Sequence, residues 1–137
     1  MSIVLGMFKI KIDKADAKFS EFIRRRDKYC MRCGKSGTGD YGIVGLQNSH
    51  YFGRGRENTR FDPENCDTLC FYCHLVWGSE DREAYREFKI NQLGEERHTA
   101  LMIRARTYKR KDRMASFFVA KQLLKDLEHE YNTNQNR

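Results

Sequence analysis

Residues 66–74 read CDTLCFYCH, which places three cysteines and one histidine within nine positions. In this stretch Cys70-x-x-Cys73 is the second of two C-x-x-C pairs, the first being Cys30-x-x-Cys33. Each pair can form a tight knuckle whose two thiolates converge on one ion, and two knuckles supply the four thiolates of a structural zinc site. Because four cysteines leave no open coordination position for water, the predicted zinc is structural.

Cys66 and His74 then lie outside the zinc shell. His74 follows Cys73 at the start of a predicted helix, where the period of about 100° per residue turns its side chain away from the zinc. Cys66 is predicted to be a small buried hydrophobic residue. The alternative, that the paired cysteines are ordinary buried thiols, is the weaker interpretation because two independent C-x-x-C matches occur.

The composition indicates one small domain, residues 1–137, since 39% of the 137 residues are hydrophobic and 33% are charged. The 26 Lys and Arg residues against 19 Asp and Glu give a net charge of +7, which favours a polyanionic partner such as nucleic acid. The first apolar run is too short for a signal peptide, and no stretch could span a bilayer. We therefore expect a cytoplasmic protein, and a reducing compartment favours metal binding over disulfides.

The periodicity of the chain predicts few strands and many helices, and therefore a small α+β fold. The metal-rich core is expected over residues 28–78, between an N-terminal strand and helix over 7–27 and a helical part over 79–131. Asp13 is the predicted N-cap of a helix that ends near Asp27. A strand over 42–47 is expected to lead into Ser49-His50, and helices are expected over 69–77, 79–94, 95–105 and 114–131. The last residues are expected to fray, and His98 and His129 are expected on helix surfaces.

A second group of residues is arranged around His50. The order is Ser49-His50, then Asn65, then the pattern N-x-x-x-L-C-x-x-C-H, which ends at His74. This arrangement resembles the HNH endonuclease family, whose ββα-metal motif would here be built on a zinc-stapled treble clef. A longer resemblance, over about 19–131, is to the phage NinG (Rap) recombination nucleases, which act on branched DNA. It is carried by FIRRRD, SHY, RFDPEN and NQLGEE, although His74 stands where some of these relatives have asparagine.

The resemblance implies a role for each of these residues in phosphodiester hydrolysis. His50 would be the general base, because an imidazole titrates near the working pH. Asn65 would hold the loop or the ring of His50 in position, and His74 would ligate one Mg²⁺ or Mn²⁺ ion. Ser49 stands where many HNH enzymes have an aspartate ligand, and a hydroxyl is a poor ligand. An acid from elsewhere, Asp62 or Asp67, is therefore the alternative ligand.

Basic residues flank these motifs and are predicted to contact DNA phosphates. Those on the loop after His50 are expected nearest the scissile phosphate, and those of the run over 104–113 are expected on the flanking backbone. For the second group a solvated basic surface is an equally good interpretation. The predicted DNA-binding residues are Arg54, Arg56, Arg60, Arg104, Arg106, Lys109, Arg110 and Lys111.

These observations predict a metal-dependent HNH endonuclease of phage recombination type, with structural zinc and catalytic Mg²⁺ or Mn²⁺. If it is phage-encoded, it would act in the bacterial host cytoplasm. Symmetric cleavage of a branched junction would need two active sites, so a homodimer through the last helix is a further expectation. Three alternatives stay open: an HNH homing, restriction or packaging nuclease on duplex DNA, a zinc-stabilised DNA-binding module with a degenerate site, and a zinc scaffold for protein binding. Ser49 favours the degenerate site.

Overall fold

The structure is a computed structural model and describes residues 12–136. The chain forms a small α+β fold, as predicted, in which helices surround a two-stranded sheet. Residues 7–11 of the predicted N-terminal strand lie outside the described residues. None of the helices within 12–136 is long and apolar enough to cross a membrane. The helices are α1 (Lys14–Asp27), α2 (Glu57–Arg60), α3 (Phe71–Leu75), α4 (Arg82–Leu93), α5 (Glu95–Arg106) and α6 (Arg113–Gln135), and the strands are β1 (Leu46–His50) and β2 (Cys66–Cys70).

Helix α1 begins and ends where the sequence predicts. The Asp13 side chain accepts the Asp16 N–H at 3.0 Å, and the Asp16 side chain accepts the Asp13 N–H at 3.1 Å, which makes a capping box. At the other end Lys28 takes a φ of 74°, and its N–H donates a hydrogen bond to the Arg24 carbonyl oxygen at 2.8 Å. This left-handed residue turns the chain out of the helix directly before the first cysteine pair.

The two strands form an antiparallel hairpin in which Ser49 lies opposite Asp67 and His50 lies opposite Cys66. The strand predicted over 42–47 starts later, at Leu46, because Gly42 and Gly45 take φ angles of 67° and 92° and hold the preceding residues in a turn. The helix predicted from Leu69 also starts later, because β2 extends to Cys70. A π-helical turn, Val76–Glu80, then follows α3.

The buried hydrophobic residues of the described part of the chain form two clusters. Trp77, Tyr85 and Leu101 belong to the first, which α3, α4 and α5 form with the hairpin. The second joins α1 to α6, where Phe19 and Ile23 pack with Cys66 and Leu124. Cys66 is fully buried, which confirms its predicted place in the core.

Helix α6 runs parallel to α1, since Arg113 pairs with Asp13 at one end and Glu128 pairs with Arg25 at the other. The apolar face of α6, through which the sequence analysis expects a homodimer, therefore packs against α1 within the chain. Helix α6 extends through Gln135, past the end of α1, so Tyr131 is exposed and the fraying predicted for residues up to Gln135 is wrong.

Candidate metal centre and active-site cleft

The four paired cysteines form one cluster, as predicted. The sulfur atoms of Cys30, Cys33, Cys70 and Cys73 all lie within 4.8 Å of one another, and the Cys33 and Cys70 sulfurs are 3.8 Å apart. In a tetrahedral site with Zn–S bonds of about 2.3 Å, neighbouring sulfurs are about 3.8 Å apart. The cluster therefore fits a zinc ion with a full thiolate shell.

The first knuckle has the geometry that presents sulfur to a cation. Gly34 takes a φ of 79° and donates its N–H to the Cys30 carbonyl oxygen at 2.8 Å, while the Cys33 N–H points at the Cys30 sulfur at 3.5 Å. Burial disfavours ionisation of Cys30, but the surrounding backbone N–H groups outweigh it and lower the pKa of the thiol to about 7. Arg32 lies 3.3 Å from the Cys73 sulfur, which adds positive charge beside the cluster.

The two histidines of the HNH pattern line a single cleft of about 410 Å³ between α1 and the hairpin. His50 comes from the end of β1 and His74 from α3. Polar residues of β1, of the loop after it and of α1 complete the lining. They are Gln47, Asn48, Arg54, Asp16, Ser20 and Arg24.

His50 is held as a neutral base. Its Nε2 lies 2.9 Å from the Arg60 carbonyl oxygen, and because a carbonyl only accepts, Nε2 carries the proton and Nδ1 keeps its lone pair. Burial, followed by the positive charge of Arg54, lowers the pKa of His50 from 6.5 to about 4. At neutral pH this imidazole is therefore uncharged and can accept a proton at Nδ1, but its pKa lies below the near-neutral value expected from the sequence, which makes it a weaker base.

His74 is held by its other ring nitrogen. Its Nδ1 lies 2.7 Å from Oε1 of Gln47, so Nδ1 donates and Nε2 keeps its lone pair. Burial and the charge of Arg54 lower the pKa of His74, which keeps the ring neutral. A histidine whose second nitrogen is fixed by an oxygen acceptor is the usual arrangement of a metal ligand.

Asn65 is buried and ties together the two ends of the loop that follows His50. Its Oδ1 accepts the Phe52 N–H at 2.8 Å, and its Nδ2 donates to the carbonyl oxygens of Phe52 and Thr59 at 2.9 and 3.0 Å. Arg60, whose carbonyl oxygen holds His50, comes directly after Thr59. Asn65 therefore acts on His50 through the loop rather than on the ring.

Ser49, which stands at the usual aspartate position of the HNH pattern, faces away from the cleft. It is one residue out of phase with His50 in β1, and its Oγ accepts the Tyr85 hydroxyl at 3.2 Å in the interior. Asp67 belongs to the same buried network and pairs with Lys89 at 3.2 Å. Asp62 is bound by Arg104 at 2.8 Å and caps the turn that leads to β2. Neither acid lines the cleft, so the prediction that one of them replaces the missing aspartate is wrong.

The basic residues predicted to contact DNA divide into two groups. Arg60 is buried and forms a two-bond ion pair with Asp16, and Arg104 is held by Asp62 and Glu64, so both have carboxylate partners in place of the predicted phosphate. Arg54 lines the cleft. The others are exposed and lie on or beside a shallow groove formed with Gly55 and Tyr108; they are Arg56, Arg106, Lys109, Arg110 and Lys111.

Several residues of the cleft are absent from the sequence-based prediction. Asp16, Ser20 and Arg24 recur at intervals of four, which places them on one face of α1, but the other charged residues of this helix prevent the spacing from singling them out. No sequence signal distinguishes Gln47 and Asn48. The placement of His98 on a surface is wrong, because it is buried and hydrogen-bonded to the Tyr51 hydroxyl at 2.9 Å.

Comparison with known proteins identifies one family. The family model described as the bacteriophage lambda NinG protein matches residues 7–130, which is most of the chain. Searches of the curated proteins and of the solved structures find no significant match.

Proposed function

The chain belongs to the NinG family of bacteriophage lambda, which indicates a role in phage recombination and involvement with DNA, and from this membership and the cleft we propose that it is a metal-dependent endonuclease of the HNH type. The observation that carries the proposal is the pair of neutral histidines in one cleft. His50 keeps a lone pair on Nδ1, and His74 keeps one on Nε2.

In the proposed reaction, His50 Nδ1 takes a proton from a water molecule as the water oxygen attacks the scissile phosphorus. The bond from phosphorus to the 3′ oxygen breaks, a solvent water protonates the departing oxygen, and the products are a 5′-phosphate and a 3′-hydroxyl. His50 then returns its proton to solvent. A neutral base is needed at the start of this step, and the low pKa of His50 supports that state at physiological pH.

The other residues of the cleft would position the substrate phosphate, the base and the divalent ion. Arg54 brings a positive charge beside both histidines, where it can bind the phosphate. Asn65 holds the loop whose Arg60 carbonyl oxygen fixes the His50 ring. His74 would hold the divalent ion, Mg²⁺ or Mn²⁺, which supplies Lewis-acid stabilisation of the phosphate and the departing oxygen.

We infer from the family that branched recombination intermediates are the preferred DNA. The exposed cations Arg106, Lys109, Arg110 and Lys111 supply a second basic surface for the arms of such a substrate. Contacts of this type do not read sequence, which agrees with recognition of DNA shape. If a four-way junction is cut symmetrically, two copies of the chain act together.

The test is cleavage of labelled duplex, flap and four-way DNA by zinc-loaded protein in the presence of Mg²⁺ or Mn²⁺. His50→Ala should abolish cutting and leave the zinc content and the circular dichroism spectrum unchanged. His129→Ala is the matched control, because His129 is exposed on α6, and it should cut at the wild-type rate. Cutting that survives in His50→Ala would refute the base assignment.

The second candidate is a zinc-stabilised DNA-binding module with an inactive cleft. It is favoured by Ser49, whose hydroxyl is turned into the interior and leaves the usual aspartate position without a carboxylate. Binding to DNA without cleavage of any of the three substrates would support this candidate. Cutting of plain duplex as fast as branched DNA would instead favour a homing, restriction or packaging nuclease.

A further inference from the structure

Two buried polar atoms of the cleft have no hydrogen-bond partner within residues 12–136. They are the side-chain oxygen of Asn48 and Nε of Arg54, one an acceptor and the other a donor. Burying such an atom without a partner costs about 1–3 kcal/mol, and in native proteins these atoms often mark a catalytic site or a bound ion or water. Both atoms belong to residues that line the same cleft as His50 and His74.

The position of Asn48 follows from the strand. Side chains alternate between the two faces of a strand, so Asn48 lies on the same face as His50 while Ser49 lies on the opposite face. The contacts of these two residues agree, because Ser49 meets Tyr85 in the interior and Asn48 lines the cleft. Gln47 has the same parity as Ser49 but also lines the cleft, where its side chain accepts from His74. Only 8% of Asn48 is exposed, so its oxygen is held in place rather than solvated.

The other side-chain oxygens that line the cleft already have partners. Both oxygens of Asp16 accept from Arg60, at 2.8 and 2.5 Å. The oxygen of Gln47 accepts from His74, and that of Ser20 accepts from Arg24 at 3.0 Å. Among the described residues of the lining, the Asn48 oxygen is thus the side-chain oxygen that accepts from no protein donor, and because it is enclosed, a cation reaches it after a rotation of the Asn48 side chain.

We propose that Asn48 Oδ1 is a ligand of the divalent cation, in place of the aspartate expected at position 49, and that it shares the ion with His74. Amide oxygens are accepted ligands of hard divalent cations, and manganese also accepts imidazole nitrogen. This inference rests on the proposed function for the role of the cleft. Because an amide carries no charge, the site binds the cation more weakly than a carboxylate site would, and the phosphate held by Arg54 supplies the missing negative charge.

The experiment measures Mn²⁺ binding to zinc-loaded protein without DNA, by electron paramagnetic resonance of the free ion. Asn48→Asp adds a carboxylate of the same shape and should tighten binding at least about tenfold. Asn48→Leu removes the oxygen and should weaken binding at least about tenfold. Ser49→Ala is the matched control at the neighbouring position and should bind Mn²⁺ within about twofold of the wild type, because its hydroxyl faces Tyr85.

Thermal unfolding without Mn²⁺ separates a ligand from a structural residue. If Asn48 serves the ion, Asn48→Leu should melt at the same temperature as the wild type or higher, because the unpaired oxygen is removed. A lower melting temperature combined with unchanged Mn²⁺ affinity would show a structural role and overturn the proposal.

The remaining outcomes keep the two proposals apart. If the wild type binds no Mn²⁺ at millimolar concentration even when inorganic phosphate is added, or if both Asn48 variants bind it as the wild type does, Asn48 is not a ligand, whether or not DNA is cut. If Mn²⁺ affinity follows Asn48 but none of the DNA substrates is cleaved, the cation site stands and the nuclease proposal fails.

Discussion

Replacing His50 by glutamine should remove a specific pH dependence from the stability of the protein. The pKa of His50 is lowered from 6.5 to about 4, mainly by burial, so the unfolded chain binds a proton at this residue at a higher pH than the folded chain does. Between these two values the unfolded state carries more protons, and the free energy of unfolding falls as the pH falls. Glutamine does not titrate, and its amide can still donate to the Arg60 carbonyl oxygen.

The magnitude follows from the two pKa values. Lowering the pH from 7.5 to 5.5 should cost the wild type about 1.3 kcal/mol of stability through His50 alone, and the next pH unit should cost about 1.2 kcal/mol more. This window lies above the folded pKa, so the folded ring stays neutral throughout. Other titrating groups, such as Glu64 and His98, contribute equally to both proteins and cancel in the comparison.

The assay is urea unfolding of the zinc-loaded wild type and of His50→Gln at pH 7.5, 6.5 and 5.5, with circular dichroism as the signal that monitors unfolding. The difference in unfolding free energy between the two proteins should shift by about 1.3 kcal/mol in favour of the variant as the pH falls across this window. Parallel loss of stability in both proteins would refute the reasoning that His50 is buried as a neutral base.

Three further predictions concern the zinc cluster, the loop clamp and the buried ion pair. Cys30→Ser should lose zinc and lose helical structure, whereas Cys66→Ala should retain one zinc per chain, as measured by atomic absorption. Full zinc retention by Cys30→Ser would contradict the four-cysteine site. Asn65→Ala removes three hydrogen bonds and should cost about 2–4 kcal/mol in urea unfolding, with a fall in kcat for DNA cleavage, while unchanged stability would refute the clamp. Arg60→Met should cost about 3–5 kcal/mol at pH 7 because it leaves Asp16 buried without its partner, and adding Asp16→Leu should recover part of that loss.

Much of the fold could be predicted because its signals are local. The capping box of α1 involves residues three positions apart, and Gly94 separates α4 from α5 directly in the sequence. The two C-x-x-C pairs form a long-range contact that could be predicted, since Cys33 and Cys70 lie 37 residues apart in the chain. They could still be matched because thiolates in this spacing have few other roles in a reducing compartment.

The sequence-based predictions miss contacts between residues that are distant in the chain. Arg60 and Arg104 pair with Asp16 and Asp62, which lie 44 and 42 residues away, so these ion pairs could not be predicted. His98 read as a surface residue for the same reason, since Tyr51 is 47 residues away. From the sequence alone, a charged side chain or an imidazole ring is predicted to be solvent-exposed when its partner lies far away in the chain.

The four-cysteine cluster and the helical flanks could be predicted from the amino-acid sequence alone, because each depends on residue type and short spacing. The tertiary structure alone decided which side chains enter the cleft. The hairpin register turns Ser49 towards Tyr85 in the interior and Asn48 towards the cleft, although the two residues are neighbours and both are polar. A shift of one residue in a strand reverses the face that a side chain occupies, and only the paired strand and the packed helices set that register.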